Sequence, residues 1–294
     1  MILSARVVAQ AKINLVLRVL AREESGFHSV ETVLLRLDLG DDVAVRITDG
    51  RSLDCSGPSV PPGGLGPTER NLAYRAAVAY AEATGWPRGF AIEVVKRIPV
   101  GGGLGGGSAD AGAVLRALDA LAPGPLGTRL VEIAAPLGAD VPFMTLESPM
   151  ALAWGRGERL FPLRALPARP AALIVPNFGV DTAEAYGWLA AEWGRYVPTG
   201  SVLLPELLAA WNGAAAIATN DFQRVVAARH PVIGELVDEL KACGAMISML
   251  SGSGSTVFGI FDQPPEWAAI TRQTGLTTVA TRTSDRVVGV ALDQ

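Results

Sequence analysis

The sequence predicts an α+β protein built in two regions, and two observations predict it. Segments of strand period and segments of helix period follow one another without a strict β-α-β-α rhythm. A proline-rich stretch, "FPLRALPARPAALIVP" from Phe161 to Pro176, then separates a first region from a second. The chain has 294 residues, 49% of them hydrophobic, which is ample to bury a core.

The elements follow in order. Val7–Leu20 is β-branched and aliphatic and reads as one or two strands. Val30–Ile47 reads as strands broken near Gly40, Asp41 and Asp42. "SGPSVPPGGLGP", Ser56 to Pro67, is a loop by composition. A helix follows, with Leu72, Ala76, Tyr80 and Ala83 at helical spacing and Gly85 and Pro87 as stops. Phe90–Pro99 is a strand, "SADAGAVLRALDALA" a helix, and "LVEIAAPLGADVPFM" a short helix running into a loop at Gly138–Asp140. In the second region Ala171–Val175 is a strand. Helices lie near Ala183–Trp193 and Pro231–Cys243, and "AMISMLSGSGSTVFGIF" reads as two strands about a Gly/Ser turn.

Composition excludes several classes. The formal net charge is −4 with no basic block, which argues against nucleic-acid binding, where clustered cations must displace counterions from phosphates. Two cysteines, Cys55 and Cys243, and two histidines, His28 and His230, cannot build a disulfide framework or a four-ligand zinc site. Mg²⁺ held mainly by phosphates and water stays open. The N-terminal "MILSARVVAQAK" lacks a secretory pattern. No apolar run approaches the ~18 residues of a membrane span. The expected location is the cytoplasm, with no membrane partner.

One stretch asks for chemistry. "KRIPVGGGLGGGSADAG", Lys96 to Gly112, puts six glycines into the seven positions 101–107. A linker would be polar on both sides, whereas here a strand runs in and an apolar-periodic helix runs out. Such a loop offers backbone N–H groups, unshielded by Cβ, at the positive end of a helix, and so cradles an anion. Gly101, Gly103 and Gly106 satisfy G-x-G-x-x-G. The dinucleotide reading is poor, because no strand ending in an acidic residue follows the helix. A Walker loop needs Gly-Lys-Ser/Thr, and Gly107-Ser108 lacks the lysine. The missing cation must come from elsewhere, while Ser108 can offer a hydroxyl to phosphate or Mg²⁺. Asp110 is expected to stabilise the helix N-terminus and face away from the anion.

Three further residues stand out. The period-2 rule puts Ile13, Leu15 and Leu17 on one face of the first strand and Lys12 with Asn14 on the other, about 7 Å apart. That face is either a solvated polar side or an active-site wall. Asp140 is either a helix cap or a carboxylate that takes a hydroxyl proton. His28, after a turn signal and an aromatic residue, suits a ligand-contact loop, and His230 before Pro231 reads as structural.

Read together, "AKINLVLRVLAREESGFHSVET" (Ala11–Thr32), "ERNLAYRAA" (Glu69–Ala77), "IPVGGGLGGGSADAG" (Ile98–Gly112), "LGADVPF" (Leu137–Phe143), "GRGERL" (Gly155–Leu160), "NDFQ" (Asn220–Gln223) and "LSGSGSTVFG" (Leu250–Gly259) resemble the GHMP kinase superfamily. That superfamily is named for galactokinase, homoserine kinase, mevalonate kinase and phosphomevalonate kinase. The glycine motif marks the superfamily; "AKINL" with "GFH" resembles its branch with a cytidyl substrate. The resemblance implies a ribosomal protein S5 domain 2-like ATP domain over residues 1–161 and a ferredoxin-like domain over 162–294. The active site would lie between them. It implies that ATP, with Mg²⁺, phosphorylates the 2-hydroxyl of a cytidine-diphosphate-linked methylerythritol in the non-mevalonate route to isoprenoids.

Carried over residue by residue, the resemblance makes Asp140 the base and Lys12 its partner. Asn14 becomes a substrate contact, His28 the residue bonded to the cytosine, and Tyr186 the ring stacked on it. Pro99, Val100, Gly101, Gly102, Gly103, Leu104, Gly105, Gly106, Gly107, Ser108 and Ala109 become the ATP phosphate loop. Phe27 stands where the family usually has Tyr, Gln223 where Glu is common, and Leu250 where Met is common. Phe27, His28 and Tyr186 together offer the flat face and edge group that a cytosine needs. Lys12 supplies the cation that the glycine loop lacks. Ser251–Thr256 is either a hairpin turn or a loop facing substrate or phosphate, and the Ser52–Pro67 loop is a candidate neighbour of the adenine. Homoserine or mevalonate kinase activity, or a nucleotide-binding paralogue without chemistry, are the competing readings. The ring residues argue against the first, and retention of Lys12 with Asp140 argues against the second.

Overall fold

In a computed structural model of the protein, the structure describes residues 3–22, 28–192, 205–267 and 276–293. The first half holds strands β1 (Ser4–Arg22), β2 (His28–Thr48) and β3 (Arg51–Ser56), helix α1 (Leu72–Thr84), strand β4 (Gly89–Val95) and helix α2 (Gly106–Leu121). Short helices α3 (Leu130–Ala134) and α4 (Val141–Thr145) and the strands β5 (Met150–Gly155) and β6 (Arg159–Pro162) complete it. The second half holds β7 (Pro170–Val175), α5 (Thr182–Glu192), α6 (Trp211–Ile217), β8 (Thr219–Asn220), α7 (Asp221–Ala227), α8 (Val232–Ala242), β9 (Ile247–Leu250), β10 (Val257–Ile260), β11 (Thr277–Arg282) and β12 (Ala291–Asp293).

Two sheets organise these elements. The first runs β12-β1-β2-β4-β3, with β5 also on β2, β6 on β5, and β8 parallel to β1. The second is antiparallel, in the order β11-β7-β10-β9. Numbered by sequence, that is 4-1-3-2, the order of a ferredoxin-like sheet. Helices α1 and α2 pack on each other, and α2 lies on β1 and β2. Alanines 73, 76 and 77 and Tyr80 of α1 share the first core with Val114, Leu115 and Leu118 of α2 and with the sheet residues Ile13, Val33, Val45, Phe90 and Ile92. Fully burying each large member stabilises by about 1.5–3 kcal/mol. A second core joins Phe222, Val225, Ile233, Leu236 and Leu240 to Ile174 and Val257, and it also takes Leu17, Val19 and Val30. Strand β1 therefore serves both cores.

Helix boundaries have local causes. Asn71 caps α1 by accepting the Ala73 N–H at 2.9 Å, and Gly85 ends it at φ 73°. Where the sequence suggested a break at Gly40–Asp42, β2 runs on without one, because the Asp41 carboxylate turns inward onto partners instead of making a turn. Residues 52–56, expected to be loop, form most of β3, parallel to β4. The β5–β6 hairpin, α6, α7 and β11 were not read from the sequence. Their segments are short or carry mixed patterns, and tertiary pairing decides them.

Candidate active site

Strand β1 does not keep a clean alternation. Its register against β2 shifts between Gln10 and Lys12 and between Asn14 and Val16, the signature of bulges, which re-aim side chains. Residues 9–17 are all buried, so the polar face of Lys12 and Asn14 is a wall inside the protein. Lys12 and Asn14 are each 3% exposed. Lys12 Nζ donates to Asn14 Oδ1 at 2.8 Å and stands 3.4 Å from Asp140 Oδ2. Asn14 Nδ2 donates to Thr32 Oγ1 at 2.8 Å, and Thr32 in turn donates to the Val16 carbonyl. This relay fixes the amide so that its oxygen faces the ammonium.

Asp140 precedes α4 at the N-cap position, yet its side chain makes no cap hydrogen bond. Its carboxylate remains available towards Lys12, with its side chain about a third exposed. At the other end of α4 the buried Arg36 guanidinium donates to the carbonyls of Phe143, Met144 and Leu146 at 3.0–3.1 Å. Burial, and then the charge of Arg116, pull the Arg36 pKa down to about 9.

The glycine loop takes its shape from close approaches. Gly101, Gly103 and Gly105 have φ of 76°, 77° and 70°, a region that favours glycine. A Cβ on Gly103 would lie 2.2 Å from the Ser251 carbonyl oxygen, and one on Gly102 would lie 2.4 Å from Thr256 Oγ1. The 251–256 loop thus packs directly on the glycine loop, joined by Ser251 Oγ to Gly103 O at 3.0 Å and Thr256 N to Gly102 O at 3.2 Å. Asn220 holds that second loop from behind, donating to the carbonyls of Leu250 and Gly252. Gln223 accepts the Leu250 N–H at 3.0 Å. Helix α2 opens at Gly106, and the N–H groups of its first turn have no acceptor within the helix.

These parts meet at one cavity of about 1310 Å³. Lys12, Asn14, His28, Asp140 and Tyr186 all line it, as do Gly103, Gly105 and Ser108 of the glycine loop. Leu104 and Ala109 are buried behind the loop, and Val100 is exposed at its tip. Phe27 lies outside the described residues. His28 and Tyr186 stack on each other, ring centroids 4.4 Å apart and planes 16° apart. Phe222 meets Tyr186 edge-on. Burial, and then the Asp140 charge, push the Tyr186 phenol up to about 12, so it stays a neutral ring. Sequence reasoning missed Thr32, Thr182 and Arg156, which also line the cavity, as does Ser253 of the 251–256 loop. Only their placement by neighbouring elements reveals them; Thr182 and Ser253, 71 positions apart, share a hydroxyl contact of 2.9 Å. Asp110 differs from the expected role at the helix N-terminus. It is the fifth residue of α2, buried and paired with Lys96, because a helix face turned onto β2 places it in the interior.

A strand lysine paired with an aspartate ahead of a short helix, a strand-to-helix glycine cradle, and a loop of a ferredoxin-like second sheet packed on that cradle define a GHMP kinase. The family model for the GHMP kinases N terminal domain matches residues 71–148, and that for the GHMP kinases C terminal matches residues 203–273. A 4-diphosphocytidyl-2-C-methyl-D-erythritol kinase of Geobacter sp. (strain M21) is 38% identical over 260 residues, 87% of this chain and 89% of its own. Its counterpart in Salinibacter ruber is 39% identical over 262 residues, with the same shares covered. A crystal structure of 4-(cytidine 5'-diphospho)-2C-methyl-D-erythritol kinase superposes with a TM-score of 0.74 at 34% identity, covering 95% of this chain and 99% of that one. Homoserine kinase from Cytophaga hutchinsonii, at 18% identity and a TM-score of 0.66, shares the fold. The chain belongs to the 4-diphosphocytidyl-2-C-methyl-D-erythritol kinase family.

Proposed function

We propose that the chain transfers the γ-phosphoryl group of ATP to the 2-hydroxyl of 4-diphosphocytidyl-2-C-methyl-D-erythritol, a step of the non-mevalonate route to isoprenoid precursors. One observation carries the reading. The Lys12–Asp140 pair stands in a single cavity between the glycine loop and the His28–Tyr186 ring pair. A phosphate site and a base site thus flank one acid–base pair.

The roles follow from chemistry. Phosphoryl transfer needs positioning and charge stabilisation rather than covalent help. The N–H groups at the start of α2 take the nucleotide phosphates. Lys12 lies against Gly105, whose Cβ would approach its side chain to 3.0 Å. Its ammonium, between that loop and Asp140, stabilises the charge on the moving phosphoryl group. Asp140 accepts the proton of the attacking hydroxyl, and Asn14 orients the ammonium and contacts the acceptor. Tyr186 offers cytosine a face and His28 an edge group. The residues fit a Mg²⁺ ion brought in with the nucleotide: Ser108 and Asp140 both line the cavity. Ser108 would be its side-chain ligand, and the ion would offset phosphate charge. The cavity volume exceeds the roughly 300–1,000 Å³ of common ligand pockets, which suits two substrates side by side. Among the described residues no helix is long and apolar enough to cross a membrane.

The test is ADP release measured with the cytidyl acceptor, homoserine and mevalonate in parallel. Turnover with the cytidyl acceptor alone is expected. Turnover with homoserine or mevalonate and none with the cytidyl compound would overturn the reading.

A further inference from the structure

A buried charge cluster grips the glycine loop at both ends, and the mechanism above uses none of its members. Asp41, Lys96 and Asp110 are 0%, 3% and 4% exposed. They come from β2, from the residue after β4, and from α2. Lys96 Nζ donates to Asp41 Oδ2 and, at 2.6 Å, to Asp110 Oδ2. The other Asp41 oxygen accepts the backbone N–H groups of Arg97 at 2.5 Å and Ile98 at 2.8 Å. Asp41 therefore fixes the chain just before Pro99, where the loop begins. Asp110 belongs to the helix by which the loop leaves, and Lys96 joins the two.

The cluster also touches the loop's floor. A Cβ on Gly106 would come within 3.1 Å of the Ile98 side chain and 3.4 Å of Lys96 Nζ. The lysine backbone is held as well, by Ser56 O at 2.7 Å and Ser59 N at 3.2 Å. Burying three ionisable groups carries a desolvation cost that well-packed apolar side chains would avoid. Stability alone is thus a weak reason for the cluster, while a fixed separation between strand end and helix start is a strong one.

We propose that Asp41, Lys96 and Asp110 form the positioning unit of the phosphate loop, setting the geometry in which its N–H groups meet ATP. The inference rests on the reading of that loop as the ATP phosphate site. A small displacement of N–H donors weakens every phosphate contact at once, while the acceptor's ring pair, on β2 and α5, is untouched. The unit should govern ATP and leave the acceptor alone.

The experiment compares steady-state constants for Lys96→Met, Asp41→Asn and Lys96→Arg, with Tyr80→Phe as control. Tyr80 lies in the core of α1 and α2 and donates to Asp119, far along α2 from the loop, so its loss lowers Tm without touching the site. Lys96→Met should raise the KM for ATP about tenfold or more while the acceptor KM stays within about twofold. Asp41→Asn, which keeps the side-chain shape, should raise the ATP KM by a smaller factor. Lys96→Arg should recover part of the loss, and Tyr80→Phe should leave both KM values unchanged. If Lys96→Met does not fold, Asp41→Asn and calorimetric ATP titration of Lys96→Arg give the same readout. An unchanged ATP KM in the folded variants, or equal rises for both substrates, would overturn the inference. A wild-type protein that releases no ADP with the cytidyl acceptor would instead sink the functional reading beneath it.

Discussion

Asp140 keeps its carboxylate clear of the helix end by what it does not bond. As the residue ahead of α4 it had a cap role open to it, and it does not take it. Its partner is Lys12, 128 positions earlier and buried. Replacing it by Asn keeps the shape and removes the proton acceptor. Asp140→Asn should lose turnover by about 10²–10⁴-fold while ATP binding, followed by calorimetry, survives. Near wild-type turnover would remove Asp140 from the role of base. Tyr186 allows a second test, because its ring is stacked on His28 and lines the same cavity. Base–aromatic stacking contributes about 1–3 kcal/mol, so Tyr186→Ala should weaken the cytidyl acceptor by roughly 5- to 150-fold and leave ATP binding near wild type. Equal losses for both ligands would contradict the stacking role. The place of both residues in the cavity could be expected from the sequence only through motif resemblance. Read by pattern alone, Asp140 had a cap role open to it, and Lys12 and Asn14 could have faced solvent. The bulges that turn them into a wall carry no strong sequence signal.

At the scale of elements, α4 is the piece whose placement matters most, and it has only five residues. So short a helix has little stability of its own. Arg36 compensates from the neighbouring strand, where its register partner is Lys12 itself. The same β2 residue that pairs with the Lys12 backbone thus holds the far end of the helix that Asp140 begins. Arg36→Met would leave the Met144 and Leu146 carbonyls without that donor, whereas the Phe143 carbonyl keeps the Leu146 N–H. Each such acceptor left unmet costs about 1–3 kcal/mol, so a loss of about 2–6 kcal/mol is expected in denaturant unfolding. A drop in kcat at nearly constant KM for both substrates should accompany it, since the lost contact orients Asp140 and binds neither ligand. A variant as stable as the parent would mean that the three carbonyl bonds contribute nothing. Nothing in the sequence singled out Arg36. A strand arginine reads as an outward charge, and the carbonyls it serves lie over a hundred positions away. The glycine loop was legible for the opposite reason: its strand, loop and helix are contiguous. Yet the cause of Gly102 and Gly103 lies at Ser251 and Thr256, which only the folded chain brings near.

For the whole molecule, the two-region plan was legible where periodicity was strong, in β1, β2, α1, α2 and α8. It was obscure where one element serves two bodies. Strand β1 feeds both cores, and β8 and β12, from late in the chain, pair with it. Such returns depend on distant partners, so no local pattern announces them. The Asp41–Lys96–Asp110 cluster is another product of distant elements, and it makes global stability depend on pH. Burial, and then the Asp41 charge, push the Asp110 carboxyl up to about 8 against the pull of Lys96. Among the described residues one of its buried oxygens has no hydrogen-bond partner, which further disfavours the ionised form. Lys96 is pushed up despite its burial, by Asp110 when that group is ionised and then by Asp41. The sign follows from linkage. Between the ordinary carboxylate value of 3.8 and about 8 the folded protein holds a proton on Asp110 that the unfolded chain has lost. Stability from this group is therefore full below about pH 4 and falls as pH rises to about 8. Asp110→Asn stays neutral at every pH and lacks that fall. Thermal melts from pH 5 to 9 should show the variant's Tm gaining on the wild type up to about pH 8 and then holding a constant offset. The offset itself takes either sign, because the amide meets Lys96 less well than a carboxyl does. The slope is the test, and parallel Tm curves across that range would show that Asp110 is ionised in the folded protein.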